Sequence, residues 1–278
     1  MEVTAQEQPL TLKKPLERIF LLRSPWRDII LFVITVAAVV WLMLMSTTRL
    51  GYYWQWYRIP RYLFRIEDGR LVLGVLLEGL LFTFRISGVS LVLALVIGLG
   101  TAITRLSGPV SGRLLARGYL EVIRNTPLLV QLYLMYFVIG PIIGLGRFGS
   151  AVAALALFEG SYMSEIFRGG ITSLHKGQWE AAHSLGLSTF STYRDIILPQ
   201  AVRRILPPMT SEVITLIKSS ALVSLVSLSD LALEARILAS DTFLTFEVWF
   251  TAAAIYLAVT VPLSTAVYYM EKRFKILT

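Results

Sequence analysis

Residues 176–199 contain Lys176-Gly177-Gln178-Trp179-Glu180-Ala181-Ala182, then three residues, Gly186, nine residues, Ile196, one residue and Leu198-Pro199. The pattern predicts a short helix made for close approach. Ala181 and Ala182 keep its surface low, Gly186 bends or ends it, and Pro199 restarts the chain in a new helix. Trp179, Ala182, Gly186 and Phe190 fall at helical spacing, which predicts a single apolar face suited to a groove.

The chain around this segment is not that of a soluble domain. Of its 278 residues, 55% are hydrophobic and only 16% charged, and the mean hydropathy is +0.67; these values describe a multi-span helical membrane protein. A net charge of +8 would suggest nucleic acid in a soluble chain. Here the basic residues lie mainly between apolar runs, where they set orientation and meet anionic lipid, so no nucleic-acid partner is expected. With no cysteine, and His175 and His183 the only histidines, thiolate and histidine metal sites are not expected.

Six apolar stretches are predicted, near 29–46, 80–104, 127–145, 148–168, 205–228 and 247–270. The first is too long for a signal-peptide core and reads as a retained span. The fourth and fifth are interrupted by Glu159, Glu165, Pro207, Pro208, Glu212 and Lys218. The division expected is a cytoplasmic tail over 1–28, an extra span and external interfacial loop over 29–78, and a core over 79–278. Basic clusters at Lys13–Arg27, Arg105–Arg124 and Lys272–Lys275 place both termini and the 171–204 loop in the cytoplasm. The loop at about 47–78 is net basic although assigned outside. Its aromatics, among them Tyr52, Trp54, Trp56 and Tyr62, suit a helix in the headgroup layer, with contact to a soluble receptor as the alternative.

Five stretches in order carry a resemblance: Gly79 to Ser87, Glu121 to Gln131, Tyr162 to Ile171, Lys176 to Ala182 and Ile197 to Pro208. Over roughly residues 72–275 the chain resembles the permease subunits of ATP-binding-cassette importers, in the subfamily for polar amino acids such as histidine, glutamine and arginine. The resemblance implies an all-α polytopic transmembrane bundle of importer-permease type, about six spans, with a cytoplasmic coupling helix. Five-span versions are common in the subfamily, so the first span is an extension. By resemblance Glu180 is the polar anchor for an ATPase subunit, Ala181 and Ala182 the close-contact surface, and Gly186 the turn. His175 stands where such proteins usually carry proline, which affects the angle at which the loop enters. The implied partners are two ATPase subunits, a second permease subunit, identical or homologous, an external solute-binding protein and membrane lipid, in a bacterial-type plasma membrane. No phosphate-cradling Gly-x-x-x-x-Gly-Lys-Ser/Thr stretch occurs, so no cofactor is expected on this chain, and ATP with magnesium belongs to the partner.

Ionisable groups at membrane depth mark a path or a partner. Glu159, followed by Gly160 and Ser161, is the first candidate for a carboxylate facing the substrate path, where it would favour a cationic group or a substrate ammonium. A buried carboxylate bonded to a neighbouring helix fits the same pattern. Ser161, Tyr162 and Glu165 complete the candidate path, although Glu165 and Arg168, three apart, also suit a local ion pair. Pro127 reads as a helix start capped by Asn125 or Thr126, and Pro207-Pro208 as a hinge. Gly144 to Gly149 fits a dinucleotide fingerprint only by chance, since it lies in a short loop between spans. The alternatives are an importer permease for another solute, or a membrane-embedded lipid-modifying enzyme using Glu159, Glu165 and Arg168. The enzyme would need a carboxylate cluster at acid/base or metal spacing, and the chain offers none.

Overall fold

The computed structural model describes residues 25–49 and 51–274, in two compact units divided between Trp54 and Gln55. The first unit holds helix α1 (Pro25–Arg49), with a short apolar core at Ile29–Ala38. The tail expected over 1–28 lies outside the described residues, apart from the start of α1.

The second unit opens with a single 3₁₀ turn at Trp56–Arg58, the short helix α2 (Pro60–Leu63) and a hairpin of β1 (Phe64–Glu67) and β2 (Arg70–Leu73). The headgroup-layer helix expected here is therefore only these two short turns. Phe64 pairs with Leu73 and Glu67 with Arg70 across a two-residue turn in which Asp68 and Gly69 have φ of 51° and 73°. An Asp-Gly pair with both residues at positive φ matches the right-handed twist of two strands.

Helices α3 (Val75–Ser107), α4 (Val110–Arg124), α5 (Leu128–Leu134), α6 (Gly140–Ile143) and α7 (Arg147–Thr172) follow, a π-helical turn at Met135–Ile139 joining α5 to α6. Next come α8 (Lys176–Ser184) and α9 (Thr189–Ser191), then a π-helical turn at Thr192–Ile197 leading into α10 (Leu198–Ser219). After a 3₁₀ stretch at Ser220–Val226, α11 (Leu231–Thr242) and α12 (Thr245–Phe274) complete the bundle.

The centre is the parallel pair α3 and α7. A stripe of small residues on α3, Thr83, Ser87, Ser90, Ala94, Gly98 and Ala102, is buried. Gly98 and Gly160 hold the two helices together: a Cβ on Gly98 would lie 3.0 Å from the Gly160 carbonyl oxygen, and one on Gly160 would lie 3.2 Å from that of Ala94. Small residues give such close helix approach when packing, rather than water exclusion, drives association. The opposite face of α3, with Val92, Val96 and Ile103, is exposed and apolar.

Three apolar clusters run along this pair. Ile59 and Leu76 meet Leu231, Leu244 and Val248 at one end; Ile86, Leu132, Leu155, Leu216 and Val223 fill the middle; Ala94, Met163, Leu174, Ile197 and Ala201 close the other end. The α11 start is tied in by the Leu231 N–H donating to Thr83 Oγ1 at 3.2 Å, and by the buried Asp230, whose carboxylate accepts from the N–H groups of Leu233 and Ala232 at 3.0 and 3.2 Å.

Among the described residues three segments are long and apolar enough to cross a membrane, Val75–Ser107, Thr189–Val226 and Thr245–Arg273, or four if α4 and the Leu128–Ile143 segment, bent by 106°, form one span. The expectation of six is thus coarser in the structure. Helix α7 is not among them, because polar residues such as Ser150, Glu159, Ser161 and Ser164, all of them buried, lower its apolar character. Pro127 lies at the bend as the residue before α5, but neither Asn125 nor Thr126 caps that helix: their side chains bond back to the carbonyls of Glu121 and Val122. Pro207 and Pro208 sit inside an unbroken α10.

Candidate coupling and translocation site

Helix α8 is short because its ends are specified locally. At its start the His175 Nδ1 accepts the Gly177 N–H at 3.0 Å, so this histidine supplies a cap as well as a turn. At its end Gly186 has φ +71°, its N–H donates to the His183 carbonyl at 2.9 Å, and the Leu187 N–H reaches back to Ala182 at 3.1 Å. This pair of bonds is a Schellman stop, and it needs a residue that tolerates the left-handed region.

The predicted apolar face of this segment divides. Trp179 stacks edge-on against Tyr193, with ring centroids 5.0 Å apart, and packs on the cluster around Ile197; Ala182 is fully buried. Ala181, Glu180, Ser184, Leu185, Gly186 and Phe190 are exposed. Ala182 therefore packs on its own chain, and the face open to a second protein is centred on Glu180 and Ala181.

Polar bonds fix α8, and the Ser173 turn that leads into it from α7, to α10. The Gln200 Nε2 donates to Gln178 Oε1 at 3.1 Å, and Arg204 Nη1 donates to the Ser173 carbonyl at 2.6 Å and to Ser173 Oγ at 3.0 Å. Helix α10 carries a row of polar residues at the spacing of one helical face, Ser211 and Lys218 exposed and Thr215 half-buried. They line a cavity of about 330 Å³ against Ser264, Tyr268 and Glu271 of α12.

The four path candidates on α7 separate into two environments. Glu159 is fully buried, both its oxygens lack a hydrogen-bond donor among the described residues, and its electrostatic neighbour is Glu212 on α10. Ser161 is buried and bonds to the Phe158 carbonyl at 2.6 Å. Tyr162 lies under the Arg124 guanidinium, 5.2 Å from ring centroid to Cζ. Glu165 is held by Arg105, by Arg168 through Nε and Nη2 at 3.0 and 2.8 Å, and by Arg124 at 3.9 Å. The local pair with Arg168 is present, and two further helices contribute to it. Sequence reasoning missed the partnership of Glu159 with Glu212, which 52 intervening positions conceal; the shared polar character of the two interrupted spans was its only signal.

A bundle whose small-residue core carries a capped, exposed short helix clamped to a polar-faced span is a transporter membrane subunit in form. The family described as binding-protein-dependent transport system inner membrane component matches residues 94–276, and the chain belongs to it. The putative glutamine transport system permease protein GlnP of Rickettsia typhi is 38% identical over 200 residues, which are 71% of this chain and 92% of that protein. The glutamine transport system permease protein GlnP of Escherichia coli strain K12 is 36% identical over 206 residues, covering 73% and 94%. Among solved structures, an amino acid ABC transporter with histidines superposes with a TM-score of 0.67 at 37% identity, covering 72% of this chain and 94% of that one. The MetNI methionine ABC transporter superposes at 0.63 with 17% identity, a likeness of fold. The chain is a permease subunit, and the ABC importer architecture is the setting in which its geometry operates.

Proposed function

We propose that this permease imports a polar amino acid, receives the force of ATP hydrolysis through the exposed face of α8, and opens the path along the polar face of α10. The observation that carries this is the clamp: a helix with Glu180 and Ala181 open to a partner is tied by Gln178 and Trp179, and the turn before it by Ser173, to the segment that carries Ser211, Glu212, Thr215 and Lys218. Rigid elements bonded in this way transmit a push without absorbing it. The named substrates of the relatives support the amino-acid class.

In this reading six segments cross a bacterial inner membrane: α1, α3, the α5 to α6 segment, α7, the α10 segment and α12, with α4 bent away from the third at Pro127. Both termini and α8 lie in the cytoplasm, in keeping with the basic residues near Arg105, Arg124 and Lys272. Two ATPase subunits holding ATP and magnesium, a second permease and an external binding protein complete the importer. Glu159 and Glu212 form the acidic element of the path and receive the substrate ammonium. Tyr162 and Glu165 serve instead in the arginine cluster that joins α3, α4 and α7. The first 54 residues add a span to this core. Closure of the ATPases moves α8 and α10 and alternates access to the path, so that the two faces are never open together.

The experiment is affinity purification of the full chain from gently solubilised membrane. Wild type brings down an ATPase subunit, and Glu180→Lys loses it while inserting normally. Equal recovery of the ATPase by both proteins would overturn the assignment of Glu180.

A further inference from the structure

Between α3, α4 and α7 lies a cavity of about 320 Å³ lined by Arg105, Arg117, Leu120, Glu121, Arg124, Asn125, Tyr162 and Glu165. We propose that it is a binding site for a phosphate oxyanion, supplied by the headgroup of an anionic phospholipid.

The cavity holds donors that remain unspent. Glu165 is saturated, one oxygen held by Arg105 and the other by Arg168. The Glu121 carboxylate accepts the Asn125 amide at 3.1 Å. Arg117 makes no hydrogen bond or ion pair among the described residues, and Arg124 has only the distant Glu165 contact at 3.9 Å and the Tyr162 ring. Three arginines against two engaged carboxylates leave the cavity cationic. Two guanidiniums with free planar forks suit the bidentate geometry of phosphate oxygens.

Position selects the source of that phosphate. Glu165 lies seven residues before the end of α7, about 10 Å along the axis at the usual rise per residue. The site is therefore near the end of the span, on the same side of the bundle as α8. Helix α4, which forms its wall, also exposes Val110, Leu114, Leu115 and Val122, between 65% and 76% accessible. A helix with exposed leucines on one side and arginines on the other lies in the membrane interface, where its apolar side meets acyl chains and its basic side the headgroups. Arg113, on the same helix, is exposed but outside the cavity, which separates a built site from diffuse surface charge.

The test is native mass spectrometry of the full chain, purified in mild detergent and delipidated, then titrated with phosphatidylglycerol, phosphatidylcholine or inorganic phosphate. Wild type is expected to retain phosphatidylglycerol over phosphatidylcholine. Arg117→Gln should weaken that retention about fivefold, the effect of one basic residue at an anionic lipid surface, and Arg113→Gln should leave it unchanged. Competition by inorganic phosphate would support the oxyanion chemistry, and binding of phosphate without phosphatidylglycerol would support the site while assigning it to a free anion. Equal retention of both lipids, equal retention by wild type and Arg117→Gln, or an equal loss in Arg113→Gln would overturn the proposal.

Discussion

Glu159 and Asp230 are both fully buried acids, and their surroundings give them different tasks. Asp230 caps α11 through two backbone N–H groups, while burial pushes its carboxyl up from the ordinary 3.8 to about 6, with Glu234 adding to the rise and the N–H bonds opposing it. A carboxyl whose folded pKa is raised binds more protons in the folded state, so its contribution to stability falls as pH rises from about 4 through about 6. The opening free energy of the first turn of α11, read by hydrogen exchange, should decline over that window in wild type. It should be flat in Asp230→Asn, which keeps a capping oxygen. Glu159 has no such donors, only the Glu212 carboxyl near it. Glu159→Gln should insert and assemble normally but shift transport selectivity away from cationic solutes, measured as relative uptake of arginine and glutamine. Unchanged relative uptake would remove Glu159 from the path.

At the scale of elements, the clamp between α8 and α10 makes a separable claim. Arg204→Ala removes both bonds to Ser173 without touching the exposed face of α8. ATPase subunits should still bind and hydrolyse ATP, and solute uptake per ATP should fall several-fold; unchanged coupling would contradict the clamp. The existence of α8 and its stop at Gly186 were legible in the residues, because small residues followed by a glycine specify such an end locally. Which alanine faces out was not, since Ala181 and Ala182 are chemically alike and only packing in the folded chain, which buries Ala182 and leaves Ala181 exposed, decides. Helix α4 was read as a basic loop because its three arginines, with Arg105 at the end of α3, look like an orientation signal; its apolar residues are too few for a span. The hairpin carried a usable signal in Asp68-Gly69, masked by the surrounding aromatics and charges.

At the scale of the whole molecule, apolar length finds the lipid-facing spans and fails for α7, the helix that the others cover. Burial by protein relaxes the need for apolar side chains, so the central helix keeps polar groups along its length and its carboxylates look like interruptions. The same covering is what lets Glu159 and Glu212 meet. The chain has no cysteine, so single thiols can be placed without background. The most direct test of the account is therefore photo-crosslinking from a thiol-attached benzophenone at Ala181→Cys and, separately, at Ala182→Cys, in membranes containing the whole importer. The account predicts a crosslink to the ATPase subunit from position 181 and none from the buried position 182. Crosslinking from 182 but not 181, or from neither in a correctly inserted and transporting protein, would contradict it.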